Sequence, residues 1–390
     1  MDKVKDKFIG FGLVAILVLM TLPQLLWAQE VTVTPSIRLS TVYDDNLDFD
    51  QKDEKDSFGA NAVPGLTLSY ASELLQFNLI GEVNVIKYFT ETDFDRTNQL
   101  YGLDGSYQMS PRWKFAGNFS YRSDETIDSV LEETGQSFKR GRVNTYDGGA
   151  GVFFQLTELS DIGLAADYRK RDFRSGQDTD YDVYTINLPY TKRFASQRDT
   201  VTLVPSYSDF NSDDSEEARN YQLEIGWEHQ INETLTSIIN AGGRYTYIDQ
   251  QDGSSSSNWG YVGKLGLRKK TETFTGTIEA SRDIRVNSDA EIVQVNRFLL
   301  SANKLLSERF GFKFSGSAYY TDTVSDQAKD QKTIYFVLNP SLYYQLTENH
   351  SIELNYQYQN QKELDEPGNP VTQRNRVWLG FVLNFPKKWN

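Results

Sequence analysis

From Val33 to the C-terminus one pattern recurs: about ten residues with apolar and polar side chains in alternation, then a connection, then the alternation again. Trp113, Phe115, Gly117, Phe119 and Tyr121 alternate with Lys114, Ala116, Asn118, Ser120 and Arg122; Phe310, Phe312, Phe314, Gly316, Ala318 and Tyr320 alternate with Gly311, Lys313, Ser315, Ser317 and Tyr319. A period of two places each set on one face of a strand. Strands are predicted at 33–43, 58–70, 74–89, 98–109, 112–122, 142–156, 161–171, 183–192, 199–208, 220–230, 234–247, 259–268, 273–282, 292–304, 310–320, 333–345, 350–360 and 372–386, 18 in all. The connections alternate between short ones, such as Ala71–Glu73, Ser110–Pro111 and Ile231–Glu233, and long ones, such as 44–57, 123–141 and 321–332. A soluble sandwich has no reason to sort its connections this way. An antiparallel up-and-down barrel spanning an outer membrane does, with turns at one end and loops at the other. Between Val295 and Phe298 the apolar phase changes, which predicts a bulge in 292–304.

Aromatic residues on one parity gather at both strand ends. Tyr43, Tyr101, Tyr121, Tyr168, Tyr207, Tyr221, Tyr245, Trp259, Tyr320 and Tyr356 lie toward the long loops. Tyr70, Phe77, Tyr107, Trp113, Phe154, Tyr190, Trp227, Phe274, Phe310 and Tyr344 lie toward the short turns. Two girdles around an apolar belt match rings seated at headgroup depth. The other parity is polar and cannot meet lipid, so it faces a wet interior. Glu82, Asp104, Lys114, Arg122, Asp167, Arg169, Glu224, Arg244, Lys264, Glu353 and Arg376 are the candidate lumen-lining residues. A closed wall of this many strands is roughly 35 Å across, too wide for its own side chains to fill.

The first 28 residues read as a secretory signal peptide, leaving 29–390 as a single barrel domain. Lys3, Lys5 and Lys7 precede an apolar run over Phe8–Leu26, and cleavage is expected after Ala28; a retained membrane helix is the rival reading. The composition removes other classes. With no cysteine there is no disulfide scaffold or thiolate site, and a formal charge of −14 argues against nucleic acid as a partner. The two histidines, His229 and His350, fall at short turns and cannot form an outer-rim catalytic dyad. No metal, cofactor or nucleotide motif is present, so an enzyme is not expected. Asp44-Asp45-Asn46 and Asp213-Asp214 fall short of a calcium ligand set.

Charge separates along the chain. The nine long connections hold 35 of the 54 acids and 11 of the 40 bases. Asp44, Asp45, Asp48, Asp50, Asp53, Glu54 and Asp56 crowd the first and form a candidate acidic outer vestibule. One reading of the acid is solubility and cation-bridged contact with lipopolysaccharide. The other is an electrostatic guide for an anionic polymer moving outward. Within 123–141, Ile127, Val130, Leu131 and Phe138 form an amphipathic pattern; the segment either folds into the lumen as a constriction or caps the barrel outside.

Val33-Thr34-Pro35-Ser36-Ile37-Arg38-Leu39-Ser40, followed by Thr41-Val42-Tyr43-Asp44-Asp45-Asn46, resembles the first strand of the β-barrel porin 2 family. Gly380, Leu383 and Phe385 in the last strand resemble the terminal signal read by the barrel-assembly machinery, although Pro386–Asn390 follow. The family resemblance implies an 18-stranded bacterial outer-membrane barrel serving as exit for an exopolysaccharide, working with a periplasmic polysaccharide-export protein. Three functions are thus carried forward. An export conduit implies a wide polar lumen, with the partner docking on Arg193, Arg198, Lys269, Lys270 and Arg309. A diffusion porin for small solutes implies a lumen narrowed by 123–141, and a structural or adhesive barrel implies a plugged one.

Overall fold

The computed structural model describes residues 30–136, 140–174, 178–212, 216–250, 254–324, 332–365 and 367–389. The segment 1–28 expected to be a signal peptide, Phe138 and Asp213-Asp214 lie outside the described residues. The described chain forms one closed antiparallel barrel of 18 wall strands. They are β1 Glu30–Asp44, β2 Ser57–Ala71, β3 Leu75–Tyr88, β4 Arg96–Gln108, β5 Trp113–Glu125, β6 Arg142–Thr157, β7 Ser160–Phe173, β8 Tyr181–Asn187 with Tyr190–Arg193, and β9 Asp199–Ser212. Then follow β10 Glu216–Asn232, β11 Leu235–Gln250, β12 Ser255–Lys270, β13 Phe274–Val286, β14 Ile292–Leu305, β15 Phe310–Thr323, β16 Lys332–Thr347, β17 His350–Glu363, and β18 Val371–Asn384 with Lys387–Trp389. The barrel closes where β1 meets β18, in one register from Asp44↔Arg376 through Ser36↔Asn384 to Val31↔Trp389.

Proline accounts for the interruption of β8. Pro189 has no N–H to donate, so the ladder lapses between the two parts of β8. Its carbonyl still accepts from the Gly163 N–H at 2.8 Å, and the Leu188 N–H reaches the Pro205 carbonyl at 3.0 Å, which keeps both parts in one wall.

The bulge predicted in 292–304 is absent. Register is unbroken through β14 against both neighbours, with Val295 opposite Asp283 and Phe298 opposite Ala280. The phase change has another cause. Val293 and Val295 are buried inside the barrel, whereas Phe298 and Leu300 point outward. Register shifts do occur beside short turns, at Gln155/Thr157, Gln230/Asn232 and Gln345/Thr347.

Outside, large apolar side chains remain exposed on wall after wall: Leu103, Leu164, Ile186, Leu223, Ile225, Leu265, Leu379 and Phe381 among them. A water-facing surface would not keep such a continuous belt. Girdle rings meet across neighbouring strands, with centroids 4.6 Å apart for Tyr168–Tyr184, 5.2 Å for Tyr207–Tyr221, 4.9 Å for Tyr245–Trp259 and 4.7 Å for Trp113–Phe154. Tyr70 departs from the pattern, being buried and stacked on Phe77. Closed backbone pairing, a lipid-facing belt and two aromatic girdles make this a bacterial outer-membrane barrel.

Candidate functional site

A polar lumen this wide fills with water unless chain enters it, and at the long-loop end three segments do. The first is a nine-residue helix, α1 (Thr126–Thr134), in the connection after β5. It ends where Gly135 takes φ +75° and its N–H bonds the Leu131 carbonyl at 2.8 Å. Glycine is required there twice over, because a Cβ would lie 2.6 Å from the Cβ of Tyr319. The helix lies inside the barrel. Ile127 and Leu131 pack on lumen-facing Val293, Val295, Tyr319, Tyr335 and Val337 of β14–β16, and Val130 joins a second apolar cluster on the other side.

The second segment is the tip of the β13–β14 hairpin. Ile284, Val286, Ala290 and Ile292 pack with Phe173, Tyr181, Phe210, Ala218 and Ile248 from β7–β11. The third is the connection after β1, which buries Leu47 and Phe49. Together they occupy the outer end of the lumen, and the described part of the connection after β5, 126–136, folds inward.

Charge fixes α1 in place. Asp128 meets Arg376 at 3.1 Å, Arg96 at 3.4 Å and Arg374 at 3.9 Å. Glu133 meets Arg169 at 2.5 Å, pairs with Arg171, and stands 4.0 Å from Arg285, whose Nη1 donates to the Glu133 carbonyl at 2.9 Å. Glu132 accepts from Gln357 at 3.0 Å, and its carbonyl accepts from the Tyr319 hydroxyl at 2.5 Å. The facing arginines hold the Asp128 carboxyl well below the usual range and lower Glu133 to about 2, whereas burial raises Glu132.

The sequence-selected residues divide by depth. Arg169 and Arg376 bind α1. Glu82, Asp104, Lys114, Arg122 and Asp167 share the inward parity of β3, β4, β5 and β7, with Asp167 on the rim of a cavity of about 700 Å³. Deeper down, Lys264 pairs with Glu279 at 3.2 Å and Lys313 with Glu353 at 4.0 Å, while Glu224 accepts a hydrogen bond from the neutral Asn240 amide at 2.9 Å. Arg244 is buried and meets no carboxylate among the described residues.

In the first long connection, Asp44 is fully buried in a two-point pair with Arg374, at 2.9 and 2.5 Å, and Asp45 binds the backbone and side chain of Asn375. Asp50 accepts from the Lys52 and Asp53 N–H groups and Asp56 from the Tyr43 hydroxyl, while Asp53 lies 3.5 Å from Lys55 and Asp48 3.9 Å from Arg140. Glu54 is exposed. His229 bonds Asp199 at 2.8 Å, and His350 packs on Phe385, both beside short turns.

Sequence reasoning passed over Asp128, Glu132, Glu133, Arg96, Arg171, Arg285 and Arg374. The signal that finds part of this set is the spacing of Arg169 with Arg171 and of Arg374 with Arg376: two apart on a strand is the same face, which stacks guanidinium groups toward the lumen.

No family model and no curated protein matches the chain. Solved structures with a similar course include OccAB1 of Acinetobacter baumannii (10% identity, 91% of this chain and 97% of that one, TM-score 0.47). OccK2 (OpdF) of Pseudomonas aeruginosa is similar at 9% identity, covering 92% and 98%, with TM-score 0.45. The outer membrane channel DcaP of Acinetobacter baumannii is similar at 11% identity, covering 92% and 98%, with TM-score 0.43.

Proposed function

We propose that this chain is a gated outer-membrane channel for neutral, hydrogen-bonding solutes of the carbohydrate class, with α1 and the β13–β14 tip as its gate. The observation that carries the reading is the lining beneath the gate. On one side, Asn118, Thr185, Asn187, Ser206, Ser208 and Gln222 face the cavity of about 700 Å³. Across the lumen, Asn61, Asn84, Asn303, Ser315, Asn339 and Asn355 border another of about 710 Å³. Amides and hydroxyls exchange hydrogen bonds with sugar hydroxyls at little net change, and most of the charges among them are paired, Arg169 with Asp147, Arg285 with Asp283 and Lys313 with Glu353.

A second reading, exit of an exopolysaccharide, draws on the resemblance of Val33–Asn46 and uses the same lining. It adds a periplasmic export protein docked on the basic short turns. The inward α1 favours a narrowed channel over a permanently wide one. Swelling of proteoliposomes tests the first reading: a Glu133→Gln variant, with the gate loosened, admits neutral oligosaccharides faster than wild type at any salt concentration, whereas its rate for sugar acids of equal size falls as salt rises. No swelling with either solute would leave the adhesive reading. Gene deletion tests the second: polymer lost from the surface and accumulating in the periplasm supports export, and unchanged surface polymer removes it.

A further inference from the structure

A closed barrel should have no strand edge, yet the wall of this one parts between β12 and β13. Their pairing runs from Lys270↔Thr275 to Gly263↔Arg282 and stops there. Beyond that point β12 stays in the wall, paired with β11 as far as Asp249↔Ser255. The outer end of β13 instead follows β14 into the lumen, paired with it to Val286↔Ile292. Among the described residues, Ser255–Val262 therefore has a strand neighbour on one side only. The gap opens at the depth of the outer girdle, beside Trp259 and Tyr261, which are 79% and 62% exposed.

Two guanidinium groups stand at this seam. Arg282 lies 4.1 Å over the Tyr261 ring and donates to Asn296 at 3.1 Å, its Nε unsatisfied. Arg244 is only 2% exposed, and its Nε is also unsatisfied. It donates to Thr246 at 2.8 Å and reaches Gln294 at 3.5 Å. It lies flat on Gly260, where a Cβ would come within 2.7–2.8 Å of the guanidinium, so glycine at that position of β12 makes its slot. Among the described residues neither arginine has a carboxylate within ion-pair distance. Every wall arginine that binds α1, by contrast, is matched by an acid. Burying a guanidinium unpaired is costly, and such groups suit a phosphate with its several acceptor oxygens.

We infer that the β12–β13 seam is a binding slot for the phosphorylated headgroup of an outer-leaflet amphiphile, whose chains stay in the bilayer while its phosphate enters between Arg282 and Arg244. The position favours a lipid over a soluble anion, because the slot opens sideways at headgroup depth between exposed aromatic rings. This reading rests on the barrel and its seam, independently of what the lumen carries.

The test is native mass spectrometry of the full barrel in mixed micelles containing diphosphorylated lipid A or its dephosphorylated form. Wild type retains the phosphorylated lipid at least tenfold more strongly. Arg282→Gln and Arg244→Gln each remove about that factor, and Arg219→Gln, at a paired arginine on the outer face of β10, does not. Arg282 is only partly buried, so its variant keeps the test decisive if a glutamine at 244 prevents folding. Equal retention by wild type and Arg282→Gln overturns the slot, as does equal loss with Arg219→Gln. Displacement of the lipid by millimolar inorganic phosphate would make this a free-phosphate site and overturn the lipid assignment.

Discussion

Arg374 sits with no exposed surface, its fork on an equally buried Asp44 and its third nitrogen 3.9 Å from Asp128. One guanidinium thus ties the end of β1 to β18, across the closure of the barrel, and reaches toward the helix in the lumen. Removing one partner leaves a buried charge uncompensated, which costs about 3–5 kcal/mol, while removing both is much milder. Arg374→Met should therefore lower the urea midpoint of the detergent-folded barrel far more than Asp44→Asn with Arg374→Met together. If the double variant is as unstable as the single, the pair acts through packing alone. The same logic distinguishes Asp44 from Glu54, which lies in the connection after β1 and is exposed. Replacing Glu54 by Gln should leave the midpoint unchanged.

At the scale of elements, α1 is held to opposite sides of the wall by groups that can be separated one at a time. The Thr321 hydroxyl donates to the Thr134 carbonyl at 2.5 Å, and both residues are fully buried. The chain has no cysteine, so Thr134→Cys with Thr321→Cys introduces a single possible cross-link. Oxidised, it should hold α1 on β15 and suppress channel openings; dithiothreitol should restore them. Openings of equal frequency in both states would show that α1 does not move. Acid should loosen the same contact. Glu133 is lowered in the fold to about 2, so its contribution to holding α1 is complete above the ordinary glutamate range and is lost as pH falls through about 2. Asp128, lowered in the same direction, behaves alike; Glu132, raised by burial, gains its proton first and eases its own desolvation. Conductance should then be flat from pH 7 to about pH 5 and rise below about pH 4. A rise confined to the range above pH 5 would assign the gate to Glu132 instead. The strands that carry these anchors were legible because period two is set by the backbone, and lipid enforces it on every outward position. The gate was not. Ile127, Val130 and Leu131 announce an amphipathic turn, but Ile127 and Leu131 pack on β14–β16, more than 150 residues away, and Val130 joins a cluster drawn from β6–β11 and the β13–β14 tip. Val293 and Val295 misled for the same reason: apolar residues on the lumen side mean a covered lumen, which a strand pattern alone renders as a bulge.

Across the whole molecule, the acids of the long connections are shared between two tasks. Some remain outside, as Glu54 and Asp53 do, while Asp44, Asp128 and Glu133 turn inward to meet arginines of the wall. The arginines beneath the outer mouth are therefore fully paired only while α1 is seated. Arg96, Arg169, Arg171, Arg285, Arg374 and Arg376 project from β4, β7, β13 and β18; withdrawing Asp128 and Glu133 would leave Arg171 and Arg376 without an ion pair among the described residues, while Glu125, Asp147, Asp283 and Asp44 still hold Arg96, Arg169, Arg285 and Arg374, so the ring turns net more positive around the path. A charged constriction with low-dielectric walls concentrates the opposite ion. Opening should consequently change selectivity as well as conductance. Under a potassium chloride gradient, Asp128→Asn with Glu133→Gln should shift the reversal potential toward that of chloride, and the shift should shrink as ionic strength brings the screening length below about 8 Å. Neutral sugars should gain permeability in the same variant with no dependence on salt. Cation selectivity in the opened state would mean that the outer acids, rather than the arginine ring, set the field along the path, and the acidic mouth would then be the filter.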